Sequence, residues 1–173
     1  MAKSRHSKRN PIGFTDLIGA SGISKTDPRI QANGAVDEAS SSLGLARAFM
    51  QNKDHAAVLK QCQADLSNLM GFIASVNTGQ SFFVIGDDYF EKELETLEQV
   101  LFKFEAETEF PKAFVFPGDH PAEAALNMAR TVVRRAERVL ISFFADEDIK
   151  REAVLQYLNR LSSLCYVLSL IEA

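Results

Sequence analysis

Tryptophan is absent from this chain, and cysteine, histidine, proline and glycine are scarce, at two, three, five and nine of 173 residues. Two cysteines, Cys62 and Cys165, are too few for a disulfide framework, and each falls on the apolar seam of a periodic stretch, where a thiol behaves as a small hydrophobe. A reducing, cytoplasmic setting follows as the expectation. The histidines His6, His55 and His120 are scattered, and no Cys/His or Glu-x-x-His spacing recurs, so no metal centre built from side chains is expected. GxSxG is missing and neither cysteine has a base beside it, which leaves nucleophilic catalysis without a signature. GxxxxGK[ST] is missing too, which excludes a Walker loop. No apolar run approaches the roughly 18 residues of a membrane span, and the start MAKSRHSKR is not followed by a signal-peptide core. No membrane partner is therefore expected. The net charge of −4 argues against a protein that coats nucleic acid.

What is present points to helices. Apolar residues make up 46% of the chain, and 173 residues suffice for one domain with a core of its own. The spacing predicts a helix over 29–50, weakened by Gly34, Gly44 and Ser40 to Ser42. A second runs over 54–76, where Leu59, Cys62, Leu66, Leu69, Ile73 and Val76 alternate steps of three and four, and Asn77, Thr78 and Gly79 end it. A third starts near Asp87 or Asp88 and continues to about Glu107. Pro121 opens a fourth that reaches about Phe144, since proline suits the first helical position. The fifth is expected from near Asp146 to near the C-terminus, with Val154, Leu158, Leu161, Cys165 and Leu168 as its seam. No convincing strand is read. The fold class expected is all-α, a five-helix up-and-down bundle over 29–173, preceded by residues 1–28 as an N-terminal nucleotide loop or a flexible tail.

Charge is concentrated on the fourth helix. Arg130, Arg134 and Arg138 lie four apart on one face, and Arg135 and Glu137 crowd the same turns. Like charges at this spacing repel by a few tenths of a kcal/mol per pair, so the face calls for an anion, an acidic partner or open solvent. Asp37 and Glu38 on the first helix are candidate partners for these arginines, a solvated face being the plainer alternative. Gly13, Gly19 and Gly22, with Lys8, Thr15 and Lys25 nearby, allow backbone N–H groups and ammonium groups to wrap a phosphate chain. As a pattern this is weak beside a mobile tail. Phe114 and Phe116, on the irregular stretch 110–120, suit either the cover of an apolar ligand or a minor core beneath a loop.

Three separated blocks carry a resemblance. KTDPRIQANGAVDEASSSLGLARA (25–48), FVFPGDHPAEAALNMARTVVRRAER (114–138) and YLNRLSSLCY (157–166) resemble, in order, those of the ATP:corrinoid adenosyltransferases of the propanediol-utilisation type. The likeness implies a homotrimer of five-helix bundles with active sites between adjacent subunits. There cob(I)alamin attacks the ribose 5′ carbon of ATP and expels triphosphate. It implies that Lys8, Gly13, Thr15 and Lys25 hold the ATP phosphates, with Mg²⁺ bridging their oxygens. Arg134 and Arg135 would stabilise the leaving triphosphate, Glu137 would position the arginines or the ribose, and Asn159 would complete the ATP pocket. On the corrinoid side, Phe114 matches the aromatic that keeps the lower ligand off cobalt, and Asp37 and Arg130 match a carboxylate and guanidinium that pair across the site. A flavoprotein reductase and an adenosylcobalamin-dependent enzyme are the partners implied.

The departures from the family pattern cluster in the N-terminal loop. SKRNPIGFT (7–15) places Asn10 and Pro11 where the family has glycine and aspartate, and proline removes an N–H donor and fixes φ. Asp119, Asn127, Ser40, Ser163 and Leu170 are the other departures. They leave open an alternative of the same fold: a catalytically impaired paralogue serving as a corrinoid or nucleotide carrier or as a regulatory protein.

Overall fold

Asp27 and Pro28 open the first helix as their chemistry dictates. Proline sits in the first turn, where its missing N–H costs nothing, and Asp27 Oδ1 accepts a hydrogen bond from Arg29 N at 2.9 Å. The computed structural model describes residues 10–17, 19–78 and 88–173. It contains β1 (Phe14–Leu17), β2 (Ala20–Ser24), α1 (Pro28–Phe49), α2 (Lys53–Ser75), α3 (Tyr89–Ala106), α4 (Pro121–Asp146) and α5 (Glu152–Ile171). The five expected helices are all formed. Gly79, expected to end α2, and Asp87, one of two residues expected to start α3, lie outside the described residues.

Two expectations require correction. The first is the absence of strands: β1 and β2 pair antiparallel, Phe14 opposite Ser24 and Thr15 opposite Ile23, with an irregularity before Leu17 meets Ala20. No alternating pattern betrays this hairpin because it buries neither face, so its residues answer to no core. Its hold is local, through Gly22 N donating to Asp16 Oδ1 at 3.0 Å and Lys25 N to Gly13 O at 2.8 Å. The second correction is the boundary between the last two helices. α4 continues to Asp146, and α5 begins at Glu152, six residues later than expected. Asp148 adopts φ +51°, which breaks the helix, and Ile149 N returns to Phe144 O at 2.8 Å.

Side-chain pairs fix the directions of the helices. Arg29 Nη1 donates to Val76 O at 3.1 Å while Arg47 meets Gln63, so α1 and α2 are antiparallel. Glu38 meets Arg135, and Pro28 lies near Asp146, so α1 and α4 are antiparallel too. Phe90 packs edge-on to Tyr157, and Arg160 Nε donates to Glu98 Oε1 at 2.8 Å, which sets α3 parallel to α5. Close packing joins α1 to α2, α1 to α4, α4 to α5 and α3 to α5. Around the bundle the order is α2, α1, α4, α5, α3, an up-and-down arrangement.

The core follows the seams. Leu59, Leu66, Leu69 and Ile73 of α2 and Leu158, Leu161, Leu164 and Leu168 of α5 are fully buried, each contributing about 1.5–3 kcal/mol by burial. Within it lies the carboxylate of Asp65, at 2% exposure. It accepts from Tyr157 Oη at 2.6 Å, Tyr89 Oη at 2.8 Å and Gln61 Nε2 at 3.0 Å, tying α2 to α3 and α5. Beside this network a cavity of about 310 Å³ separates α2 from α3, lined by Val58, Cys62, Leu97 and Val100 among others.

Glu152–Ile171 is long and apolar enough on average to cross a membrane, but it is no unbroken apolar run, since Gln156, Asn159 and Arg160 interrupt it. More than half of that window is buried against the other helices. The apolar character of α5 serves the middle of the bundle.

Candidate functional site

The arginines of α4 are distributed by the helices on either side. α4 packs between α1 and α5, so residues spaced four apart meet different surroundings as the helix turns. Arg135 forms an ion pair with Glu38 of α1, both side chains about half exposed. Of the two acids expected to meet the arginines, Glu38 does so within the chain. Arg134 is exposed, and among the described residues it has no hydrogen bond or ion pair. Arg130 is half-buried, with its Nε enclosed and without a partner. Arg138 is exposed and borders a small cavity shared with Arg135, Gln31 and Ser142.

Glu137 lies one helical turn from Arg134, and its Oε1 accepts from Asn159 Nδ2 of α5 at 3.4 Å. The two residues border an open cavity of about 490 Å³, with Glu98, Gln156 and Arg160 around it. Three sequence-predicted residues, Arg134, Glu137 and Asn159, thus come together on the α4–α5 face. Arg160, which sequence reasoning did not single out, joins them through its contact with Glu98.

The hairpin gathers a second group. Gly13 holds φ +86°, a conformation that costs other residues but not glycine, in a turn closed by Phe14 N donating to Pro11 O at 3.0 Å. The Lys25 N–H meets the Gly13 carbonyl, which joins the two ends of the glycine-rich segment. Thr15 and Asp37 line one cavity of about 530 Å³ between the hairpin, α1 and α2, where Asn33 Oδ1 is enclosed without a partner. Lys8 lies outside the described residues. Asp37 is exposed, and no ion pair joins it to Arg130 within the chain among the described residues.

The aromatic residues stand in the open. Phe114 and Phe116 are each 81% exposed, ring against ring at 5.2 Å in edge-to-face geometry. The alternative of a minor core beneath the loop is therefore wrong, since nothing among the described residues covers either ring. At one end of the loop Phe110 leans on Tyr166 of α5, with ring centroids 6.4 Å apart. At the other end Gly118 N donates to Glu123 Oε2 at 2.8 Å. Glu123 was missed in the sequence, where an acid in the first turn of a helix is a generic stabiliser of the N-terminus. Its burial, at 5% exposure, is what distinguishes it.

Near α1, the Arg29 guanidinium beside Asp27 holds that carboxyl below the usual carboxylate range. Burial pushes the Cys62 thiol up to about 12, and Cys165 is also raised by burial. Neither thiol is a nucleophile at neutral pH.

Comparison with known proteins agrees with this geometry. The family model described as cobalamin adenosyltransferase matches residues 6–172. A corrinoid adenosyltransferase of Citrobacter freundii is 36% identical over 162 residues, covering 92% of this chain and 89% of the relative. The corrinoid adenosyltransferase PduO of Salmonella typhimurium is 30% identical over 165 residues, 95% of this chain but 48% of that longer protein. Among solved structures, a phenylalanine-to-alanine variant of the PduO-type ATP:corrinoid adenosyltransferase from Lactobacillus reuteri, complexed with cobalamin and ATP, superposes with a TM-score of 0.78. Its identity is 27%, over 91% of this chain and 87% of that one.

Proposed function

The chain belongs to the cobalamin adenosyltransferase family, and on that premise we propose that it transfers the 5′-deoxyadenosyl group of ATP to cob(I)alamin or a related corrinoid. The observation that carries this reading is the α4–α5 face, where an unpaired Arg134 stands beside the Glu137–Asn159 contact. The cobalt(I) electron pair forms a bond to C5′ as the C5′–O5′ bond breaks, and the released pair leaves on triphosphate while cobalt becomes formally cobalt(III). Negative charge grows on the leaving oxygen. A guanidinium that is unpaired among the described residues stabilises it without first surrendering another partner. Arg135 supports the same charge from its pair with Glu38, and Asn159 and Glu137 hold the nucleotide and orient Arg134.

Mg·ATP is bound in this reading by Lys8, Gly13, Thr15 and Lys25, with Mg²⁺ carried on the phosphates. The hairpin that seats Gly13 against Lys25 supports it. Phe114 covers the lower face of the corrin, and Asp37 and Arg130 pair across the site when a neighbouring copy completes it. The exposed aromatic rings and the enclosed, partnerless Arg130 Nε support a homotrimer with shared sites. The two buried free thiols fit a cytoplasmic setting. A flavoprotein reductase would supply the corrinoid as cob(I), and an adenosylcobalamin-dependent enzyme would take the product. Residues 1–28 act as the nucleotide-binding segment and 29–173 as the bundle that presents it.

The test is ATP-dependent loss of cob(I)alamin absorbance under anaerobic reduction, with triphosphate measured. Arg134→Ala is expected to lower kcat about 10²- to 10³-fold with the melting temperature nearly unchanged, because among the described residues the side chain has no hydrogen bond or ion pair to lose. Unchanged turnover removes Arg134 from the mechanism. Pro11 favours a second reading, a carrier or regulatory protein, because it presents no N–H to a phosphate. Corrinoid binding without ATP affinity or turnover in the purified protein is the outcome that selects it.

A further inference from the structure

Glu123 occupies the third position of α4, from which a glutamate commonly reaches back to the N–H of the residue capping the helix. Here it reaches farther. Its Oε2 accepts from Gly118 N, two residues before the cap His120, and its Oε1 accepts from Asn127 Nδ2 at 2.8 Å. Gly118 stands at φ +138°, a backbone region open to glycine, and this conformation turns its N–H onto the carboxylate. His120 itself makes no side-chain cap.

A buried carboxylate is costly unless its lone pairs are filled. This one is satisfied by neutral donors and by the positive end of the helix. What it holds is a loop that buries nothing: residues 109–121 are all exposed. Among the described residues, the Gly118–Glu123 bond is the side-chain hydrogen bond that ties this loop to the bundle, with the Phe110–Tyr166 contact as its other support. Between these two anchors stand Phe114 and Phe116.

We propose that Glu123 is a positioning residue for corrinoid binding: through Gly118 and Asn127 it fixes the aromatic loop in the pose that receives the ring system. The inference rests on the reading of Phe114 as the corrinoid-facing aromatic. Without the carboxylate the loop keeps its sequence and its exposure but loses its pose, and the cost of ordering it again falls on the binding of the corrinoid. The nucleotide side, built from the hairpin, Arg134 and Asn159, is not connected to it.

The chain has no tryptophan, so F116W places a single reporter on the loop. In this background, Glu123→Ala is expected to lower the reporter's fluorescence anisotropy and to raise the Kd for cob(II)alamin about ten-fold or more, the equivalent of one lost charge-assisted hydrogen bond. The KM for ATP stays within about two-fold, and the helical circular dichroism is unchanged. Glu123→Gln, which keeps a carbonyl for Gly118 N–H while Asn127 reverses its amide, restores most of the affinity. If Glu123→Ala does not fold, the glutamine variant and Asn127→Ala carry the test, with intermediate weakening expected. Corrinoid affinity that is unchanged in these variants overturns the proposal, as does an ATP KM that rises in parallel. A wild type that binds corrinoid without turnover overturns the reading of catalysis alone. A wild type that binds no corrinoid overturns both.

Discussion

Asp65→Ala removes the acceptor at the centre of the bundle's polar network, and its cost follows from the three donors left behind. The Tyr157 hydroxyl is buried and has the Asp65 carboxylate 2.6 Å away; unpaired, it costs about 1–3 kcal/mol. The Tyr89 hydroxyl keeps the Asn68 amide at 2.8 Å and loses about 1 kcal/mol. Gln61 is exposed and returns to water at little cost. The small void left by the carboxylate adds to these, for about 3 kcal/mol in all. In a chain of this length that is a fall of about 6–12 °C in melting temperature. The assay is urea or thermal unfolding followed by far-ultraviolet circular dichroism, with Tyr157→Phe as control. The control deletes a single donor and leaves the carboxylate with two, so about 1–1.5 kcal/mol is expected from it. A loss below about 1 kcal/mol for Asp65→Ala, or a control that costs as much as the alanine variant, would refute the network as the tie between α2, α3 and α5.

Two further outcomes follow. Burial raises the Cys62 thiol from 9.0 to about 12 and the Tyr89 hydroxyl from 10.0 to about 12. Below about pH 8 both are protonated in folded and unfolded chains alike, and their contribution is complete. As pH rises from about 9 to about 12 the unfolded chain releases its protons first, so the urea midpoint should fall across that window; a flat profile would contradict it. For the Glu38–Arg135 pair, a double-mutant cycle on unfolding should give a coupling no larger than about 1 kcal/mol, because both side chains are half exposed. A coupling of several kcal/mol would mean that the pair is shielded in the assembled protein.

The helical framework was legible because its signal is repeated: the α2 seam recurs at six positions, from Leu59 to Val76, and each position votes for the same face. The α4–α5 boundary was not, since Asp146 reads as a helix start, whereas the chain breaks at Asp148, which does so by adopting positive φ. The hairpin was invisible because it packs against no core and is fixed by a backbone contact from Lys25 to Gly13, which leaves no side-chain pattern. In the candidate site, the arginines were legible as a cluster but their division was not. Arg135 belongs to Glu38 because α1 passes on that side, while Arg134, one residue earlier, meets no partner among the described residues. Glu123 escaped notice for a related reason: its meaning lies in how deeply it is buried, and an acid in a first helical turn is ordinarily solvated.

The apolar helix α5 has a consequence for biogenesis. Half of its 20 residues are buried, and it fills the place between α4 and α3. It also leaves the ribosome after the four helices it joins. Until Leu158, Leu161, Leu164 and Leu168 emerge, α3 and α4 have no common neighbour, and the nascent chain exposes the surfaces they will later share. A ribosome-bound intermediate lacking α5 is thus a sticky four-helix trough, the kind of species that chaperones retain and proteases clear.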